Sequence, residues 1–223
     1  MKSVKLVRLV RPLVTACLIV WLSSMVVTTL SKSPMKKRSP EELIVRRLDT
    51  WPSLVFDRQP DLGHAQSRVK VIEFVDYQCP FCRVEEPILR KMVTKYNGQI
   101  SVYRYEFPEE RIHRYAKAAA IAAECAVRQH KGAEYQAELF EKQANFADQD
   151  WTTLATRAGI RDRQEFASCI SSAPASQKVS NDQMIGDRLQ VHATPTLMIN
   201  GNIVVGSVTF EELEELFKTV DKH

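Results

Sequence analysis

Residues 69–82 read Val69-Lys70-Val71-Ile72-Glu73-Phe74-Val75-Asp76-Tyr77-Gln78-Cys79-Pro80-Phe81-Cys82. The first seven are a β-branched and aromatic run of strand length. The run leads straight into a Cys-x-x-Cys pair. After the pair, Phe81, Val84, Ile88, Met92 and Tyr96 recur every three or four residues, the period of an amphipathic helix. Asn97-Gly98 ends that pattern, and residues 100–107 read as a second strand stopped by Pro108. Strand, helix, strand is the βαβ unit of a sheet with parallel neighbours.

The placement of the cysteines between strand and helix carries chemistry. A cysteine at a helix N-terminus faces unpaired backbone N–H groups and the positive end of the helix dipole. Both favour thiolate, so Cys79 is expected to have a depressed pKa and to act as nucleophile. Cys82, about one turn on, is placed to attack a mixed disulfide and release product. Pro80 suits the first helical position, where its missing N–H is not needed. Half a zinc site is the competing reading, but such sites need four ligands. The five histidines are scattered, and Cys125 and Cys169 stand singly. A static structural disulfide is a further alternative.

Residues 109–190 turn helical, in pieces over 111–130, 134–143, 151–158, from 162 onward, and 174–189. After Ala193-Thr194-Pro195, residues 196–200 and 203–205 read as a hairpin joined through Gly201-Asn202. Thr209-Phe210-Glu211-Glu212 is a capping box opening a terminal helix to about Lys218. A hairpin and helix can complete one sheet with the βαβ unit, which makes 109–190 an insertion rather than an independent domain.

The run from Glu73 to Cys82, with Ala193-Thr194-Pro195-Thr196 downstream, resembles the DsbA-like branch of the thioredoxin superfamily over roughly residues 60–220. The resemblance implies an α/β thioredoxin fold with an inserted helical subdomain, and a thiol–disulfide oxidoreductase that exchanges disulfides with substrate protein thiols. Oxidase is the leading direction, with reductase or isomerase as alternatives on the same residues. It implies that Pro195 is the family's cis-proline, beside the pair and presenting backbone edges to a substrate peptide. Thr194 precedes it, where many oxidases of the family have valine. Glu73 matches the buried acid that helps move the proton of Cys82; an ordinary solvent-facing strand residue is the competing reading. Pro87 matches a helix-kinking proline. Many relatives have a second disulfide in the helical insertion, which Cys125 and Cys169 could form; two buried free thiols are the alternative. The strongest oxidases of the family carry histidine where Phe81 stands, so a less oxidising pair is expected here. A quinone-coupled, DsbB-like membrane partner would reoxidise it, and no metal or organic cofactor is implied. A peptide-binding or holdase module without turnover is the reading from a different class.

Composition bounds the rest. Of 223 residues, 44% are hydrophobic and 26% charged, enough for a core, and only 7 are glycine, which excludes collagen-like chains. The net charge of +4 misleads. Residues 1–38 hold eight of the 31 basic residues and none of the 27 acidic ones, so the remainder is net negative and nucleic-acid binding is not expected. Residues 12–30 carry no charge, and as a helix reach roughly 28 Å, close to a bilayer's hydrocarbon core. No A-x-A-like cleavage site comes after them. The expected organisation is therefore a basic segment 1–11, a signal anchor 12–30, a stalk 31–60 with a short helix from Ser39 to about Leu48, and the domain 61–223. A cleaved signal peptide is the alternative for 12–30. The catalytic domain is expected outside the cytoplasm.

Overall fold

Strand β3 (Val69–Val75) is buried along nearly its whole length and pairs on both sides. It runs parallel to β4 (Ile100–Glu106), with Val69 opposite Ile100 and Glu73 opposite Arg104. On its other side it runs antiparallel to β5 (Thr196–Ile199). Helix α2 (Pro80–Lys95) makes the crossover between β3 and β4. The computed structural model describes residues 37–221.

The remaining elements complete one six-stranded sheet. α1 (Pro40–Leu43) and β1 (Ile44–Arg47) come first, then a 3-10 turn at Trp51–Leu54 and the two-residue β2 (Leu62–Gly63). Between β4 and β5 lie α3 (Ala116–Arg128), α4 (Gly132–Lys142), a 3-10 segment Gln143–Asp148, α5 (Trp151–Arg157), α6 (Arg163–Ile170) and α7 (Ala173–Arg188). β6 (Asn202–Val205) and α8 (Phe210–Val220) close the chain. The strand order is β1-β6-β5-β3-β4-β2, with β3 and β4 the parallel pair.

Three apolar clusters hold these layers. One packs α2 (Leu89, Met92) and α8 (Leu213, Leu216, Phe217) on a sheet face through Val69, Val71, Leu197 and Val204. The opposite face, through Ile72, Phe74, Tyr103, Tyr105 and Met198, is covered by Val191, Leu189 and Trp51. The third lies among the inserted helices and reaches both cysteines of the pair. The aromatic residues Tyr103, Tyr105, Phe107 and Phe166 are core, and Trp151 is partly buried against it. Both faces of the sheet are thus covered, which is why a strand can bury Glu73 and Arg104 alike.

Some sequence expectations are corrected. Residues 38–60, read as the end of a stalk, belong to the folded domain: β1 pairs antiparallel with β6, and Leu48 N–H donates to the Gly201 carbonyl at 2.8 Å. The Ser39 capping box forms, but its helix stops at Leu43 because Ile44-Val45-Arg46-Arg47 finds its strand partner near the far end of the chain. The final hairpin turns on Asn200-Gly201, both at positive φ (+44° and +90°), one residue earlier than read. That dipeptide is the one a tight two-residue turn prefers. Glu212, the closing residue of the Thr209 capping box, is buried and held by Arg38. The anchor expected at 12–30 lies outside the described residues, among which no helix is long and apolar enough to cross a membrane.

Candidate active site

The turn between β3 and α2 is pinned by side chains from three directions. Asp76 Oδ1 accepts from Gln78 N at 2.7 Å, and its Oδ2 meets Glu109 N and His113 Nδ1, each at 2.8 Å. Gln143 Nε2 donates to the carbonyls of Tyr77 (2.8 Å) and Cys79 (2.9 Å). Tyr115 N donates to Gln78 Oε1. A short loop held this way fixes the start of α2, where Cys79 is the N-cap and Pro80 the first helical residue.

Cys79 and Cys82 are both free thiols and both buried. Their environments push them apart. The Cys79 thiol is brought down to about 5, first by the Cys82 thiol donating to its sulfur, then by Thr194, and by the backbone N–H groups of Cys82 and Phe81 at the start of the helix. Cys82 is raised well above the ordinary thiol range by burial, by its bond to Cys79 and by the negative charge of Glu73. One cysteine is a thiolate at neutral pH while the other keeps its proton.

The Thr194–Pro195 bond is cis, and the Thr194 carbonyl lies 3.2 Å from Cys79 Sγ. The structure therefore brings Thr194 and the Pro195 loop, more than a hundred residues away in sequence, against the cysteine. Phe81 and Val84 on the first turns of α2 are more than half exposed, an apolar surface beside Cys79.

Glu73 is fully buried, which removes the solvent-facing reading. Its Oε2 bonds Arg104 Nε at 2.8 Å, and its Oε1 has no partner among the described residues. Burial raises its pKa against the pull of Arg104, with Glu86 and Asp61 adding to the rise. Arg104 also donates to Gln136 Oε1 and Glu86 Oε2, and Glu86 has a second cation in Arg90. Of the two acids on Arg104, Glu86 is the better compensated, so Glu73 is the one suited to hold a proton. Arg104, Glu86, Gln136 and Gln143 were not singled out from the sequence. Arg104 had one signal available, a cation at the centre of a predicted strand; its place opposite Glu73 comes only from the pairing of β3 with β4. Cys125 and Cys169 stand apart from this site, joined as a disulfide with Cα atoms 5.8 Å apart, linking α3 to α6.

A helix-capping thiolate, a buried partner thiol one turn on and an opposing proline loop define a thioredoxin-type dithiol site. The family model for thioredoxin matches residues 57–219, and the chain belongs to that family. It is similar to the Na(+)/H(+) antiporter NhaA 3 of Salinispora tropica, at 29% identity over 70% of this chain and 24% of that protein. It is similar too to the disulfide bond formation protein D of Bacillus subtilis, at 24% identity over 74% of this chain and 76% of that one. In fold it matches the thiol-disulfide exchange protein alpha-DsbA2 of Wolbachia pipientis, with a TM-score of 0.66 and 21% identity over 77% of this chain and 91% of that one. The chain spans about a quarter of the length of the antiporters it matches.

Proposed function

We propose that this protein is a thiol–disulfide oxidoreductase that oxidises substrate protein thiols outside the cytoplasm, held to the membrane by residues 12–30. The observation that carries the reading is the split between Cys79 and Cys82, one thiol brought down to about 5 and its neighbour raised. In the oxidised protein a substrate thiolate attacks Cys79 Sγ, forming a mixed disulfide and expelling Cys82, which takes up a proton with Glu73 as its donor. A second substrate thiolate then attacks the substrate sulfur, and Cys79 leaves as a thiolate. Two electrons pass from the substrate dithiol to the cysteine pair, and a quinone-coupled membrane partner removes them. A low leaving-group pKa favours this direction, because stabilising the reduced form makes the disulfide more oxidising. The Thr194 carbonyl and Pro195 loop would bind the substrate as an extended strand, with Phe81 and Val84 supplying apolar contact. The names of the Bacillus and Wolbachia proteins support the same reading.

The test is the reduction potential of Cys79–Cys82 in glutathione buffers. A value of about −120 to −180 mV supports the oxidising role, whereas one near about −270 mV makes the chain a reductase. The Phe81 side chain has no hydrogen-bond donor to offer the thiolate, so Phe81→His should move the potential upward. Cys79→Ala separates catalysis from mere peptide binding: oxidation of a reduced substrate that survived it would end the enzymatic reading.

A further inference from the structure

Glu85 lies three residues beyond Cys82 on α2, and no step of the disulfide exchange uses it. Its side chain is fully buried, with Oε2 accepting from Val208 N at 2.9 Å and Oε1 unpartnered among the described residues. Val208 is buried too and lies in the segment between β6 and α8. Two residues earlier in that segment, Gly206 N donates to the Pro195 carbonyl at 2.9 Å. Between them, the Ser207 carbonyl accepts from Arg38 at 3.1 Å. Glu85 therefore joins the helix that carries the cysteines to the loop that braces Pro195, by two hydrogen bonds in series.

We propose that Glu85 is a positioning residue, its carboxyl fastening the 206–208 loop to α2 and so holding the Pro195 edge where an extended substrate docks. The proposal rests on the oxidoreductase reading for its effect on substrate. An apolar side chain at 85 would pack into the same space and leave the Val208 N–H buried without an acceptor, a loss the loop can relieve only by moving. Burial pushes the Glu85 carboxyl up to about 8 against the pull of the Val208 N–H, with Glu73 on β3 and Glu212 on α8 adding to the rise and Arg38 opposing it. At neutral pH the group is largely protonated, so its task is to accept a hydrogen bond, and a neutral amide should serve.

The experiment compares the full-length protein with Glu85→Leu and Glu85→Gln, using a reduced dithiol peptide as substrate. Glu85→Leu should raise KM about tenfold with kcat within about twofold, and Glu85→Gln should recover most of that loss. Amide exchange at Gly206 and Val208 supplies a readout that needs no turnover. Protection should fall about tenfold in Glu85→Leu and return in Glu85→Gln. A wild-type KM with unchanged protection in Glu85→Leu overturns the proposal, as does equal impairment by both substitutions. Should the leucine variant not fold, Glu85→Asp, too short to reach Val208, takes its place with the same expected and overturning results. A wild-type protein that fails to oxidise the peptide would instead sink the functional reading, while the exchange data would still decide the role of Glu85.

Discussion

At the scale of the residue, the site is a division of labour between two identical side chains. Reduced Cys79 should alkylate with iodoacetamide at a nearly constant rate above neutral pH, the rate falling as pH drops through about 5. Since the Cys82 thiol is the first cause of that low value, Cys82→Ala should move the inflection upward; an unchanged curve would place the cause elsewhere. The same shift bears on stability. The folded value lies below the unfolded one of about 8.5, so the thiolate's contribution to the reduced chain is complete above that pH and vanishes as pH falls through about 5. The Cys-x-x-Cys pair was readable because its chemistry needs neighbours in sequence. Arg104 was not, because what matters about it is where the register of β3 on β4 sets it, opposite Glu73 and within reach of Glu86 and Gln136. In a strand sequence a lone charge looks like a solvent-facing one until both faces of the sheet are known to be covered.

At the scale of the element, breakers and caps were informative and long-range pairing was not. The Thr209 capping box opens α8 where the sequence placed it, with the Thr209 hydroxyl accepting from Glu212 N and the Glu212 carboxylate accepting from Thr209 N. The Ser39 box is equally good locally, yet its helix is cut short by a strand partner that no local pattern announces. Within the helical insertion the disulfide links positions 44 residues apart. Closing a loop of that size removes unfolded-chain entropy equivalent to about 4 kcal/mol. Replacing Cys125 and Cys169 together by alanine should therefore cost about 2–5 kcal/mol in denaturant unfolding, with the thiolate of Cys79 still titrating as before. A double variant of wild-type stability would mean that the packing of α3, α4 and α6, through contacts such as Tyr135 on Phe166, suffices without the bond.

At the scale of the whole molecule, the sheet domain begins earlier than its sequence motifs do. Leu43 and Val55 are buried, and Arg58 pairs with Asp182 at 2.9 Å. A chain starting at residue 61 should lose roughly 3–6 kcal/mol relative to one starting at 38, from the two buried apolar side chains alone. Equal denaturation midpoints for the two chains would show that the early segment is dispensable. The segment also supplies one of the two edges of the sheet. Its two outer strands are β1, four residues long with two arginines and a break in register, and β2, only two residues long. A protein acting as proposed would work among unfolded polypeptides, chains seeking a free edge to add to. Clipped and charged margins would offer them no template for runaway aggregation, and on the proposed function would leave the proline loop as the edge where extended peptide docks and from which it departs once its sulfurs are joined.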